Sequence, residues 1–120
     1  MICLVMIFMH ILDDFCLQGI LASMKQKEWW KKQDGYNDMY RCDYIVALFM
    51  HSFSWTFMVM LPIAVKNGFE ISGLFLGFFF ANLIIHAVVD DLKANRKKIN
   101  LCADQGIHLI QIGVTALALS

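Results

Sequence analysis

Four apolar segments, each long enough to cross a bilayer as a helix, dominate this sequence. They cover residues 1–23, 44–65, 69–92 and 101–120, and about 20 apolar residues are enough to span the hydrocarbon core. Hydrophobic residues make up 59% of the chain and charged residues only 17%, whereas a soluble domain has about 25% charged residues. The sequence therefore predicts one all-α domain over residues 1–120, an integral membrane four-helix bundle.

The connections between the segments differ in positive charge. The first connection carries five of the ten Lys and Arg residues, the third carries four and the second carries one. In a four-span protein the first and third connections lie on the same side, and the positive-inside rule assigns that side to the cytoplasm. We therefore expect a multi-pass protein of the inner (cytoplasmic) membrane, with both termini on the outer side. The formal net charge of zero argues against a nucleic-acid-binding protein.

Histidine and aspartate recur four residues apart in three of the segments. Residues at this spacing lie on one face of a helix, with Cβ atoms about 5–6 Å apart. The pairs are His10/Asp14, His86/Asp90 and Asp104/His108. Other polar residues beside these pairs are Gln18, Asn82, Lys93 and Gln105. Ionisable residues inside a membrane segment are costly and usually mark a functional site.

The predicted topology places these pairs at one depth. The first and third helices run toward the cytoplasm, so their polar residues lie in the final halves of those helices. The second and fourth helices run away from the cytoplasm, so His51, Asp104 and His108 lie in their first halves. All four histidines are therefore expected together in the cytoplasmic half of the bundle.

Imidazole and carboxylate side chains together suit a divalent metal ion, Zn²⁺ first and Mn²⁺ or Fe²⁺ as alternatives. Seven candidate ligands exceed the need of one tetrahedral ion, so one or two ions are expected. The candidate metal ligands are His10, Asp14, His51, His86, Asp90, Asp104 and His108.

Two-metal sites commonly serve phosphoester hydrolysis, and the sequence favours a metal-dependent hydrolase of a lipid or lipid-linked phosphoester. In such an enzyme Asp14 or Asp104 would assist proton transfer, and Lys93 would bind the phosphate. The amides expected to orient the ligands are Gln18, Asn82 and Gln105.

Two other functions stay open at this point. A metal-ion or proton transporter or channel would use the same polar residues, but it needs a polar path through both halves of the bundle. A non-catalytic membrane interaction protein would use the polar cluster only to hold its helices together. The expected partners are membrane lipids and a lipid or lipid-linked phosphate, and self-association into a homo-oligomer is a further option.

Four stretches of the sequence carry a resemblance to a known family. They are HILDDFCLQGILASMK, ALFMHSFSWTFMVMLP, NLIIHAVVDDLKAN and DQGIHLIQI, and together they resemble the DUF3307 family of small bacterial and phage membrane proteins. The resemblance extends over nearly the whole chain. It implies functional positions at residues already identified: His10, Asp14, Gln18, His51, His86, Asp90, Lys93, Asp104, Gln105 and His108. Family members have no assigned function and look distantly similar to membrane-bound metal-dependent hydrolases.

Overall fold

The computed structural model describes residues 1–120, and the chain is helical without any strand. The predicted all-α class is therefore confirmed. The α-helices are α1 (Ile2–Leu12), α2 (Leu21–Met24), α3 (Lys27–Lys31), α4 (Asp43–Lys66), α5 (Gly73–Ala94) and α6 (Leu101–Leu119). A π-helical segment, Asp13–Leu17, continues α1, and a 3-10 helix, Asp38–Tyr40, precedes α4.

Three helices are long and apolar enough to cross a membrane. They are α4 together with the turn before it (Asp38–Lys66), α5 and α6, and they lie close to three of the four predicted segments. Helix α5 begins later than predicted, at Gly73, because Gly68 and Phe69 both adopt the left-handed conformation (φ 64° and 63°) after α4. The Ser72 hydroxyl then accepts a hydrogen bond from the Phe75 N–H and caps the new helix.

The first predicted helix, over residues 1–23, is broken in the structure. Helix α1 has 11 residues and the π-helical segment has 5, which gives a rod of at most about 24 Å at the usual rise per residue. Gly19 follows with φ 52°, a left-handed conformation that glycine adopts without steric cost. The chain turns there, and α2 folds back against α4.

The four longest helices form a closed arrangement. Helix α4 packs against α1 and α5, and α6 completes the ring by packing against α5 and α1. One apolar cluster joins the start of α1 to the last turns of α4 and α6 and the first turn of α5, so neighbouring helices run in opposite directions. This cluster consists of Met6, Trp55, Val59, Met60, Ile63, Ala64, Phe75, Ile112 and Ala116.

The interior is divided into an apolar end and a polar end. About half of the buried side chains are polar or charged, whereas large apolar side chains such as Phe53, Phe57 and Ile110 are exposed. A soluble protein distributes these classes the other way round. The exposed apolar surface and the three long apolar helices indicate a membrane protein.

The turn at Gly19 is a testable feature of this fold. We expect Gly19→Ala to destabilise the protein by about 1–2 kcal/mol, because an L-residue is disfavoured at a positive φ. The matched control is Gly106→Ala, which lies inside α6 with nothing within 4 Å of the added Cβ and should be neutral or stabilising by about 1 kcal/mol. Unfolding of the purified protein in detergent measures both changes. Equal stability of the two variants would contradict a left-handed conformation at Gly19.

Candidate metal centre

The polar end of the bundle brings the four histidines together from α1, α4, α5 and α6. Nε2 of His51 lies 3.1 Å from Nε2 of His86. The rings of His86 and His108 are stacked with centroids 4.2 Å apart, and His10 lies 5.7 Å from His108 on the same measure. All four side chains are essentially inaccessible to solvent. The four histidines that the sequence places on four different segments thus lie in one cluster.

Two overlapping groups of side chains present donor atoms that could hold a metal ion. Asp14, His51 and His86 form the first group, and His86, Asp90 and His108 form the second. Within each group the chosen donor atoms lie within 4.8 Å of one another. Such compactness is needed for simultaneous coordination, because Zn–N and Zn–O bonds are only about 2.0–2.2 Å long.

The donor separations agree with tetrahedral coordination. Asp14 Oδ1 lies 3.5 Å from His51 Nε2, Asp90 Oδ2 lies 3.6 Å from His86 Nε2, and Asp90 Oδ1 lies 3.4 Å from His108 Nε2. Ligands at tetrahedral corners around a zinc ion are about 3.4 Å apart when the bonds are about 2.1 Å. These three pairs of atoms are therefore spaced as two ligands of one ion are, whereas Asp90 Oδ2 and His51 Nε2, 2.6 Å apart, are closer than that.

Asp90 links the two groups through its two carboxylate oxygens. Oδ2 faces His51 and His86, at 2.6 and 3.6 Å from their Nε2 atoms, while Oδ1 faces His108. A carboxylate placed in this way can serve two ions at once, one on each oxygen. The arrangement is compatible with the predicted one or two ions.

Hydrogen bonding fixes the tautomer of His108. The Gln111 amide donates from Nε2 to the backbone carbonyl and to Oδ1 of Asn82, at 3.2 and 3.1 Å. Gln111 Oε1 must therefore accept from His108 Nδ1, 3.1 Å away, which leaves Nε2 of a neutral ring as a bare acceptor. That atom faces carboxylate oxygens of Asp90 and Asp104 at 3.4 and 3.2 Å and makes no hydrogen bond. His108 Nε2 and these two carboxylate oxygens are three acceptors that repel one another. Only a cation between them, either a metal ion or a proton, removes this repulsion.

Asn82 lies one hydrogen bond further from the cluster. Its side chain donates to Thr115 Oγ1 at 2.8 Å while it accepts from Gln111, so it orients the residue that orients His108. A metal-bound histidine usually has such an outer partner on its second nitrogen. His51 and His86 have none, since their buried Nδ1 atoms are without a hydrogen-bond partner.

His10, which the sequence predicts as a metal ligand, is hydrogen-bonded through both of its ring nitrogens. The Trp55 indole N–H donates to His10 Nδ1 at 2.7 Å, so Nε2 carries the proton and donates to Gln105 Oε1 at 2.9 Å. Both ring nitrogens are therefore occupied. Gln105 in turn donates to Asp104 Oδ2 at 3.0 Å. His10 thus belongs to a hydrogen-bond chain that positions Asp104, and it has no lone pair left for an ion.

Gln18 also departs from its predicted place, because the chain is π-helical there. In a π-helix residue i pairs with residue i+5 rather than i+4, so Gln18 donates to Asp13 instead of joining Asp14. Asp13 also accepts a hydrogen bond from the Ser54 hydroxyl at 2.8 Å and is fully buried. The prediction that His10, Asp14 and Gln18 lie on one helix face is therefore wrong for Gln18.

Asp104 and Lys93 form an ion pair at the edge of the cluster. Lys93 Nζ lies 2.9 Å from Asp104 Oδ2, and the buried Asp104 Oδ1 has no hydrogen-bond partner. Asp104 is outside both compact donor groups, although it lies next to His108. Its free oxygen is directed toward the bare nitrogen of that histidine.

Two residues of the cluster were not identified from the sequence. Lys25 Nζ lies 2.7 Å from Asp90 Oδ2 and 3.2 Å from His51 Nε2, and nothing in the basic connection signals that its first lysine is buried. Trp55 stacks on His86 with centroids 4.2 Å apart. Its position four residues after His51 on α4 could have suggested a shared face.

A cleft of about 580 Å³ opens beside the cluster. Asp14, Lys25 and Gln105 belong both to its lining and to the cluster, while Lys93 and Lys97 add positive charge to its walls. Its remaining lining residues are Phe15, Ala22, Gln26, Ala94 and Ile99. We refer to this space as the basic cleft.

The comparisons with known proteins gave no match to a family model, a curated protein or a solved structure. The resemblance to the DUF3307 family therefore stays a prediction from the residues themselves. The geometry of the cluster and of the basic cleft is therefore the basis for a proposed function.

Replacing Asp90 tests the metal centre. We expect purified protein to hold one or two equivalents of divalent ion and Asp90→Asn to hold markedly less, because the second donor group loses its only carboxylate and His51 of the first group loses the negative charge beside it. The matched control is Asp13→Asn, which changes another fully buried aspartate that lies outside both groups. Elemental analysis after gel filtration measures the metal content. Equal loss of metal in both variants would point to unfolding rather than to coordination by Asp90.

Proposed function

We propose that this protein is a metal-dependent hydrolase of a lipid or lipid-linked phosphoester. The observation that carries this proposal is the basic cleft, which reaches the candidate metal ligands through Asp14 and is lined by Lys25, Lys93 and Lys97. Ammonium groups beside a carboxylate and imidazole cluster suit an anionic substrate that must reach a metal ion. The three lysines would attract the phosphate group, and Asp14 would meet it at the floor of the cleft.

We further propose that the chain is a four-helix bundle in the inner membrane, with α1 as its fourth membrane-inserted helix. The longest dimension of the molecule is 47 Å, close to the roughly 40–45 Å of a bilayer with its headgroups. Helix α1 is short, but it packs against α4 and α6 and exposes apolar side chains such as Leu4 and Phe8. The excess of Lys and Arg in two connections supports a cytoplasmic location for the basic cleft and an outer location for both ends of this chain.

Different residues would have different roles in the proposed hydrolysis. Lys93 and Lys97 would bind phosphate oxygens at the wall of the cleft. Asp14 reaches both the cleft and the ligand group, so it can hold a water molecule and accept its proton. Asp104 is fully buried and paired with Lys93, so its proposed role is to position that lysine rather than to transfer a proton. A bound divalent ion supplies charge neutralisation for the phosphoryl group and makes water a stronger nucleophile.

A membrane-embedded substrate is favoured over a soluble phosphoester by the rim of the cleft. Phe15 lines the cleft and is 61% exposed, and Ala22 and Ile99 add apolar surface beside the lysines. A lipid-linked phosphate combines the two kinds of group that meet here. Its phosphate would lie among the lysines while its hydrocarbon stays against the apolar exterior.

The apolar end of the bundle argues against a transporter. Transport requires a polar path through both halves, but Met6, Ile63 and Ile112 are fully buried in one packed cluster at the end away from the histidines. We therefore infer that the polar residues are reached from one side only, through the basic cleft. A proton on His108 would satisfy the same buried acceptors as a metal ion. A structural or proton-binding cluster is therefore the alternative to a metal centre. The metal content of the protein and of Asp90→Asn distinguishes the two.

Replacing a cleft lysine tests the substrate class. We expect metal-loaded protein to release phosphate from phosphatidic acid or an isoprenoid phosphate in mixed micelles. Lys97→Gln should raise KM by about tenfold with little change in kcat, because a charge-assisted hydrogen bond to the substrate is lost. The matched control, Lys66→Gln, removes a lysine that follows the apolar half of α4 and should leave both constants unchanged. Hydrolysis of soluble phosphomonoesters at the same efficiency would contradict a lipid substrate.

A further inference from the structure

The burial of Lys25 is an unusual feature of the polar cluster. Its side chain is only 10% exposed, although it belongs to a connection rich in charged residues. Asn95, just after α5, holds the backbone that follows the Lys25 Cα: Asn95 Nδ2 donates to the Lys25 carbonyl at 3.0 Å, and the Lys27 N–H donates to Asn95 Oδ1 at 2.6 Å. The same helix that carries His86 and Asp90 thus holds Lys25 over them.

The Lys25 ammonium occupies donors that both candidate metal groups need. It donates to Asp90 Oδ2 at 2.7 Å and approaches His51 Nε2 at 3.2 Å. These two atoms are only 2.6 Å apart, the distance of a hydrogen bond in which His51 Nε2–H donates to Asp90 Oδ2, and closer than the roughly 3.4 Å expected between two ligands of one tetrahedral ion. The ammonium lies beside this hydrogen-bonded pair, which would have to lose its proton and open to admit an ion.

A metal ion bound to His51 excludes the Lys25 ammonium from its present position. An imidazole nitrogen holds either a proton or an ion, so His51 Nε2 must first lose the proton that it donates to Asp90. An ion bonded to that nitrogen would also lie within a few ångströms of the ammonium, where the two positive charges repel each other strongly. Loading the first donor group therefore requires Lys25 to move.

The basic cleft offers the displaced side chain a place to go. Lys25 already lines this cleft together with Lys93 and Lys97, so rotation about its side-chain bonds can bring the ammonium there while Asn95 keeps the backbone fixed. In the cleft the ammonium no longer neutralises Asp90 and is free to bind a phosphate oxygen. Metal loading would then increase the positive charge that the substrate meets.

We propose that Lys25 is an internal cation that holds His51 and Asp90 in the metal-free protein and is displaced into the basic cleft when a divalent ion binds. The proposal rests on the metal centre proposed above. It makes Lys25 a positioning residue before loading and a phosphate-binding residue afterwards. It also couples the two ligands, because an ion that expels Lys25 strengthens phosphate binding, and phosphate that retains Lys25 in the cleft strengthens ion binding.

The affinity for the metal alone tests the competition. Titration calorimetry with Mn²⁺ in detergent should show Lys25→Met binding the ion at least about tenfold more tightly than the unmodified protein, because a competing positive charge is removed. Lys66→Met, which alters an exposed lysine at the last residue of α4 and outside the basic cleft, should bind the ion as the unmodified protein does. Lys25→Gln keeps a neutral donor for Asp90 and serves if the methionine variant does not fold.

Amine labelling tests the movement itself. A small amine-reactive ester followed by mass spectrometry should label Lys25 poorly without Mn²⁺ and readily with it, whereas exposed Lys97 should be labelled in both states. Ion binding by the unmodified protein without tighter binding by the Lys25 variants, or without increased labelling of Lys25, would overturn the exchange. Absence of ion binding in every protein, including the variants, would instead overturn the metal centre and the proposed function with it.

Discussion

The structure depends on the need to neutralise carboxylates that are buried among imidazoles. Asp14, Asp90 and Asp104 converge at the polar end of the bundle, where Lys25 and Lys93 supply two positive charges. A buried charge without a partner is expensive, and the bare nitrogen of His108 adds another acceptor to the same space. A further cation is therefore the simplest way to satisfy the cluster, and three of the donor separations, 3.4–3.6 Å, are close to those around a tetrahedral ion.

This requirement explains why the two ends of the molecule differ. The apolar end is held together by packing around Ile63 and Ile112, which is sufficient for helices in a lipid environment. The polar end depends on hydrogen bonds that run across helices, such as the chain from Trp55 through His10 and Gln105 to Asp104. The short helices after Gly19 cover this end and leave the basic cleft as its opening. This division of the bundle supports the proposed chemistry on a bound substrate over the alternative of passage across the membrane.

The sequence predicted the site well where the helices are regular and poorly where they are not. On α5 and α6 the spacing of four residues correctly placed His86 with Asp90 and Asp104 with His108, because side chains repeat predictably along an α-helix. The same rule failed for Gln18, since the π-helical segment changes the spacing, and for Lys25, since the fold-back after Gly19 leaves no periodic signal. The role of His10 could not be predicted either, because it depends on which neighbours form hydrogen bonds with its two ring nitrogens. Those contacts exist only once the four helices are packed together.

X-ray absorption spectroscopy of the metal-loaded protein is the most direct test of the metal centre. We expect a first shell of nitrogen and oxygen at about 2.0–2.1 Å with multiple scattering from the imidazoles of His51, His86 and His108. That scattering should be unchanged in His10→Gln, because both nitrogens of His10 are already hydrogen-bonded. A first shell without imidazole, or one with sulfur from the free cysteines, would contradict the metal centre described here.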